Sequence, residues 1–368
     1  MINLRFKKQK GRVDSQLLLV SLSLTILGII VVADASAPIA LSTFSDRYYF
    51  VKQQVIWAAV GLVSLVICSK IKYNFWEKIA TPFFIINIIF LIIVLIPAFS
   101  TETLGARRWL IIKDISYQPT ELVKLSLSIF LAKLASKNKR LFSLLFALIV
   151  IEILTMLQPD LGTAIIIATI ALSQIFVSGV NLFDFTKILI TGFISVLLLI
   201  FSSDYRRDRL LTFLQSTYDP LGKSYHIRQI LYALGAGGVF GVGLGQSRQK
   251  FLFLPESATD SIFAVIAEET GFIGSIILIV IYIFFIQRCI KISKQAPDKF
   301  TQTLAVGLLV WIGFQAYINI ASMVALVPLT GIPLPFISYG GSSLITILTA
   351  TGILLNISRY ETKAKSKK

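Results

Sequence analysis

Ten stretches of this chain are apolar for long enough to cross a lipid bilayer, and no other feature limits its fold so strongly. They lie at about residues 16–34, 51–69, 79–97, 119–135, 141–157, 162–179, 185–203, 261–287, 302–327 and 342–358. Crossing about 30 Å of hydrocarbon takes roughly 20 apolar residues as a helix, which satisfies its own backbone groups. Composition agrees, since 55% of the 368 residues are hydrophobic, only 15% are charged and the mean hydropathy is +0.80. Soluble globular domains do not look like this. The expected fold is an all-α polytopic membrane protein, a single integral-membrane domain over 1–368. A large loop, 204–260, separates the seventh and eighth spans.

Charge orients the bundle. With both ends on one side, the alternate segments 1–15, 70–78, 133–140, 179–187, 288–299 and 358–368 hold 22 Lys/Arg and leave 13 for the rest. Positive charge accumulates in short cytoplasmic loops. Both termini are therefore expected in the cytoplasm, with 1–15 and the basic 359–368 as tails and 204–260 as an extracytoplasmic loop. The net charge of +16 is spread over many short loops rather than one patch, which points to anionic lipid headgroups and away from nucleic acid. Cys68 and Cys289 fall at cytoplasmic helix ends, where a disulfide is not expected, and have no metal-ligand spacing. His226 is the single histidine and has no second member for a zinc site or a triad.

The outer face carries the unusual chemistry. FLFLPESATDSIFAVIAEETGFIG (251–274) sets Glu256, Asp260 and Glu268 beside or inside an apolar helix. The loop before it includes HIRQILYAL (226–234), patterned as a short amphipathic helix, and a glycine run, GAGGVFGVGLG. No strand precedes that run and no GKS/T ends it, so close backbone packing explains it better than a phosphate cradle. Glu121 and Lys124 share one face of the fourth span, and Asp160 sits at the break between the fifth and sixth. GIPLPFISYGGSS (331–343) is irregular backbone that survives near a membrane only inside protein or beside a watery cavity. Ionisable groups at such depths point to function, yet mutual pairing of Glu121, Lys124 and Asp160 would explain them as helix ties.

Five ordered stretches give the chain a resemblance. GARRWL, QPTELVKL, QPDLGTA, GVGLGQSRQKFLFLPESATDSIFAVIAEETGFIG and PFISYGGSS are similar to the SEDS family of peptidoglycan glycosyltransferases, the group of RodA, FtsW and SpoVE, over nearly the whole length. Within it the chain looks more like FtsW and SpoVE than like RodA. Thr120, Ser261 and Thr270 depart from the family's usual residues, and none of these changes removes a charge. The resemblance implies polymerisation of lipid II, the undecaprenyl-diphosphate-linked disaccharide peptide, into glycan outside the cytoplasmic membrane, for division or for elongation and shape. It also implies a class B penicillin-binding protein, a transpeptidase, as partner.

That reaction assigns roles. Inversion at an anomeric carbon bound to diphosphate needs one carboxylate to take the acceptor hydroxyl's proton. Asp260 matches the family's essential aspartate and is expected to be that base, although an N-cap Asp would occupy the same place. Arg107, Arg108, Arg206, Arg207, Arg209, Arg248 and Lys250 lie on the outer side, where guanidinium forks and an ammonium suit diphosphate oxygens. Glu121, Lys124 and Asp160 match charged positions lining the family's central cavity, while Glu256 and Glu268 are expected to hold loop and helix in place. No metal cage is visible; a divalent cation, Mg or Mn, bridging diphosphate and a carboxylate such as Asp160 stays compatible with the sequence. Two rival readings share the substrate or the partner: a lipid II flippase, and a scaffold for the transpeptidase. Against the flippase, the two halves show no inverted repeat and the motifs gather at the outer face rather than the midplane.

Overall fold

The computed structural model describes residues 11–103, 106–112, 115–138, 140–214 and 224–360. Parts of both tails (1–10 and 361–368) and of the 204–260 loop (215–223) lie outside the described residues. Thirteen α-helices are present among the described residues: α1 Ser15–Ala35, α2 Ala37–Phe44, α3 Tyr49–Lys70, α4 Tyr73–Leu95, α5 Pro119–Ser136, α6 Leu141–Met156, α7 Leu161–Val177, α8 Leu182–Phe201, α9 Asp204–Leu214, α10 Tyr225–Gly237, α11 Ile262–Lys294, α12 Lys299–Met323 and α13 Gly341–Ser358.

Ten of them coincide with the ten apolar stretches. Seven, namely α1, α3, α4, α8, α11, α12 and α13, are long and apolar enough to cross a membrane, and α6 and α7 are shorter apolar helices. α5 differs because its inward face carries Glu121 and Lys124. One end of the bundle is closed by Asp14, which caps α1 through Leu17 N at 2.9 Å and pairs with Arg288 at the base of α11. The opposite end holds the long segment before α11, the segment between α12 and α13, and a feature absent from the sequence reading. This is a three-stranded antiparallel sheet, β1 Ser100–Thr103, β2 Ala106–Ile112 and β3 Ile115–Tyr117, with Leu110 opposite Ser100 on one side and Tyr117 on the other.

Two apolar cores fill the bundle. One runs through α1, α3, α11, α12 and α13 and takes in residues of α4, α5, α7 and α10, and the second joins α4, α5, α6 and α7. α8 lies at the rim and buries none of its residues.

The amphipathic pattern at 226–234 forms α10, and the glycine run after it packs backbone against backbone on α11. α11 breaks at Gly271, whose φ of 68° and ψ of −164° are not helical. A Cβ at Gly271 would lie 2.3 Å from Gly241 N, and one at Gly241 would lie 2.1 Å from Glu269 O. Only glycine tolerates both the approach and the positive φ at these positions. The break frees backbone groups, and Val242 N and Gly243 N use them by donating to the carbonyls of Glu268 and Glu269.

Candidate active site

Asp260 lies in a tightly folded run, 254–261, whose shape is set by its own backbone. Glu256 adopts a left-handed φ of 52°, and its carbonyl accepts from Thr259 N and Ser261 N. The segment between α12 and α13 grips this run from the other side: Ser338 Oγ donates to Thr259 O at 2.5 Å and Tyr339 N donates to Ala258 O at 2.9 Å. From α12, the Asn319 side-chain amide donates to the carbonyls of Asp260 and Ile332. Asp260 is thus held by its main chain, and none of these bonds uses its carboxyl. Gly331 comes so near that a Cβ there would lie 3.4 Å from Asp260 Oδ2.

Four charges act on that carboxyl. Burial pushes its pKa up to about 7, and the carboxylates of Glu256 and Asp160 add to the rise, while the guanidinium groups of Arg209 and Arg108 oppose it. A carboxylate near neutrality exchanges protons readily at physiological pH. Asp160 caps α7, accepting from Thr163 N at 3.1 Å and Thr163 Oγ1 at 2.8 Å, with Arg108 Nε 3.9 Å away. Arg108 itself is anchored by donating to the carbonyls of Gln158 and Pro159. Arg209 Nη1 donates to Leu329 O at 3.3 Å. Among the described residues no group of three or more His, Cys, Asp or Glu side chains is placed to hold a metal ion.

The other predicted cations divide. Arg206 and Arg207 lie on α9 with Arg209, and Arg107 is half-buried on β2 beside Arg108. Lys250 is occupied elsewhere: its Nζ donates to both Asp34 oxygens at 2.7 Å and to Glu269 Oε1 at 2.8 Å, pinning the glycine-rich loop to α1 and α11. The Arg248 side chain is exposed, and its backbone N donates to Glu268. Glu268 also accepts from Ser247 Oγ at 2.5 Å and Gln249 N at 3.4 Å, and Glu269 accepts from Gly245 N and Ser247 N. Both glutamates therefore staple the loop, with Glu269 unforeseen from sequence.

Glu121 and Lys124 form a buried pair at 2.8 Å. Lys124 also donates to Gln315 Oε1 at 2.9 Å and lies 5.2 Å from the Trp311 ring centroid, while Gln315 Nε2 donates to Pro333 O. This network ties α5 to the segment that grips Asp260. Gln315 and Asn319 were legible in principle, because two amides four residues apart in an apolar helix share a face and need partners. Asp34 offers no such spacing, and only the folded chain brings it to Lys250.

The fold is that of a polytopic membrane protein, with Asp260 and the charges that act on it at one end of its helix bundle. Residues 14–363 match the family model of the FtsW/RodA/SpoVE cell cycle proteins, and the chain belongs to this family. It is 39% identical over 360 residues to stage V sporulation protein E of Bacillus subtilis, covering 96% of this chain and 98% of that protein. To a probable peptidoglycan glycosyltransferase FtsW of Trichlorobacter lovleyi it is 40% identical over 356 residues, covering 94% and 93%. Among solved structures it resembles a chain of a peptidoglycan synthase complex that coordinates polymerization and crosslinking, with a TM-score of 0.77, 26% identity and coverage of 96% and 99%. RodA of Thermus thermophilus shares the fold, with a TM-score of 0.71, 24% identity and coverage of 96% and 98%.

Proposed function

We infer that Asp260 is the general base of the peptidoglycan glycosyltransferase activity that goes with this family, and that the substrate is lipid II. The observation that carries the reading is the placement of Asp260 just before α11, its main chain held by Asn319, with Asp160 and Arg108 paired nearby and its carboxyl pushed up to about 7 by burial, Glu256 and Asp160 against the opposing charges of Arg209 and Arg108. Asp260 takes the proton of the acceptor's GlcNAc 4-hydroxyl as that oxygen bonds to the donor's anomeric carbon. The bond from that carbon to the diphosphate oxygen breaks, and undecaprenyl diphosphate leaves with the electron pair. The new linkage is inverted, as a single displacement requires. Arg108 and Arg209 neutralise the charge that grows on the leaving group, with Arg107, Arg206 and Arg207 on the same elements as a second rank. Glu121 and Lys124 act at a distance by fixing Gln315 and the 331–340 segment.

The excess of Lys/Arg at the opposite end supports placing this site on the extracytoplasmic side, with ten spans and both termini inside. A transpeptidase partner is supported by the likeness to the polymerization and crosslinking complex. The purified chain, reconstituted with lipid II alone, is expected to form glycan polymer without nucleotide or ion gradient, and Asp260→Asn to lower the rate about a hundredfold or more. Translocation of lipid II without polymer would instead support the flippase. An Asp260→Asn variant at wild-type rate would remove Asp260 from the chemistry.

A further inference from the structure

A cavity of about 350 Å³ opens beside the site, lined by Asp208, Arg209, Thr212, Phe213, His226, Ile227 and Leu329. Its lining is mixed: Phe213, Ile227 and Leu329 are apolar, Arg209, His226 and Thr212 supply cationic or hydrogen-bonding groups, and Asp208 adds one carboxylate. His226 is fixed rather than loose. Its Nε2 lies 2.8 Å from the hydroxyl of Ser261, the residue next to Asp260. Its second ring nitrogen, Nδ1, has no hydrogen-bond partner among the described residues. An imidazole that lines a cavity and is held at one nitrogen keeps the other for a ligand that accepts or exchanges a proton.

The geometry points to His226 as a substrate-binding residue that contacts a phosphate of a prenyl diphosphate seated in this cavity, with the first prenyl carbons against Phe213, Ile227 and Leu329. This rests on the lipid-linked substrate argued above and adds to it a residue and a subsite. The charged groups around the ring are Arg209 from α9 and Glu256 from the run before α11, with Asp208 of α9 lining the same cavity and Asp260 one residue before Ser261. Its own helix contributes Arg228, which is turned to Tyr232 Oη at 2.8 Å.

Electrostatics then fixes the direction of a pH effect. In the free protein burial lowers the pKa of His226; Glu256 opposes the fall and Arg209 adds to it, so the ring is neutral at pH 7. A bound phosphate favours the imidazolium and raises the pKa, so binding takes up a proton and tightens as pH falls. Asp260 pushes the same way as it protonates, which makes removal of its charge a necessary control.

The chain has one histidine, so imidazole ¹⁵N signals from histidine-labelled protein belong to His226 without further assignment. With full-length wild-type protein in detergent, farnesyl diphosphate is expected to raise the midpoint of that titration by about one pH unit, the scale of one charge-assisted contact. An unchanged midpoint overturns the inference. By calorimetry, the gain in farnesyl diphosphate affinity from pH 8 to pH 6 should be several-fold larger in Asp260→Asn than in Asp260→Asn combined with His226→Gln. Equal gains overturn it. Farnesol binding as tightly as farnesyl diphosphate removes the phosphate contact, and inorganic diphosphate binding more tightly removes the prenyl subsite. Either result overturns the inference. Polymerisation of lipid II with a silent His226 would sink this subsite and leave the enzymatic reading standing, whereas a responsive His226 without polymerisation would do the reverse.

Discussion

The side-chain amide of Asn319 donates to the main-chain carbonyl of Asp260 at 2.8 Å, joining residues 59 positions apart in the chain. The same nitrogen reaches Ile332 O at 2.7 Å, so one buried amide locks the Asp260 run to the segment that follows α12. Asn319→Ala leaves two carbonyls without their donor, at a cost of about 1–3 kcal/mol. Small displacements of a reacting group are expensive, so kcat should fall between about tenfold and a hundredfold while lipid II affinity stays close to wild type. Steady-state kinetics and a thermal melt of the purified variant check this, and an unchanged kcat would show that Asp260 is positioned by other contacts.

Lys250 gives a second prediction. Its ammonium is almost fully buried between Asp34 and Glu269, and the loop stapled by Glu268 and Glu269 ends on it. Removing one partner of a buried ion cluster strands the others, at a cost of about 3–5 kcal/mol. Lys250→Met should lower the melting temperature strongly, and adding Asp34→Asn should restore part of the loss because one uncompensated carboxylate is gone. If Lys250→Met melts like wild type, the cluster is not holding the loop.

Why does the sequence give Asp260 a role, but show of Asn319 only that it needs a partner? Asp260 stands at the edge of a long apolar run, where a charge is anomalous, and family resemblance gave it a role. Asn319 is a neutral amide inside α12, and its value lies in two carbonyls supplied by distant segments. The ten apolar stretches were readable because lipid imposes one hydropathy rule along the whole chain, although α4 starts at Tyr73 and α11 runs on to Lys294, beyond the expected limits of 79 and 287. The break at Gly271 was not, since a single glycine in an apolar run reads as tolerated; only its contact with Gly241 shows that the helix must stop there. Lys250 was read as a diphosphate ligand from its place in the loop. Pairing with Asp34 depends on α1 crossing that loop, a tertiary fact without a local signal.

The orientation of the bundle can be tested by thiol accessibility, because Cys68 and Cys289 are both buried. Gln246 and Lys137 are exposed at opposite ends. In whole cells an impermeant maleimide should label Gln246→Cys, while Lys137→Cys should react only after lysis. Ser247 is a poor reporter, being buried and bonded to Glu268. Reversed labelling would place the Asp260 site in the cytoplasm and separate it from an extracytoplasmic substrate.

The charges around Asp260 predict how its pH dependence moves. A general base works in its ionised form, so with a pKa of about 7 the rate should rise roughly tenfold per unit below pH 7 and level off above it. Arg108 lowers the pKa by favouring the carboxylate. Arg108→Gln should therefore move the midpoint of the acidic limb to higher pH, in addition to weakening any step in which the leaving diphosphate is neutralised. Glu256 raises the pKa by repulsion, so Glu256→Gln should move the midpoint to lower pH. Opposite displacements from two neighbours of opposite charge identify a carboxylate between them, because a general loss of structure shifts amplitudes without reversing the sign. Rates of lipid II polymerisation between pH 5.5 and pH 8.5, at saturating substrate, measure both midpoints. Displacement of both variants in one direction, or of neither, would mean that the titrating group is not Asp260.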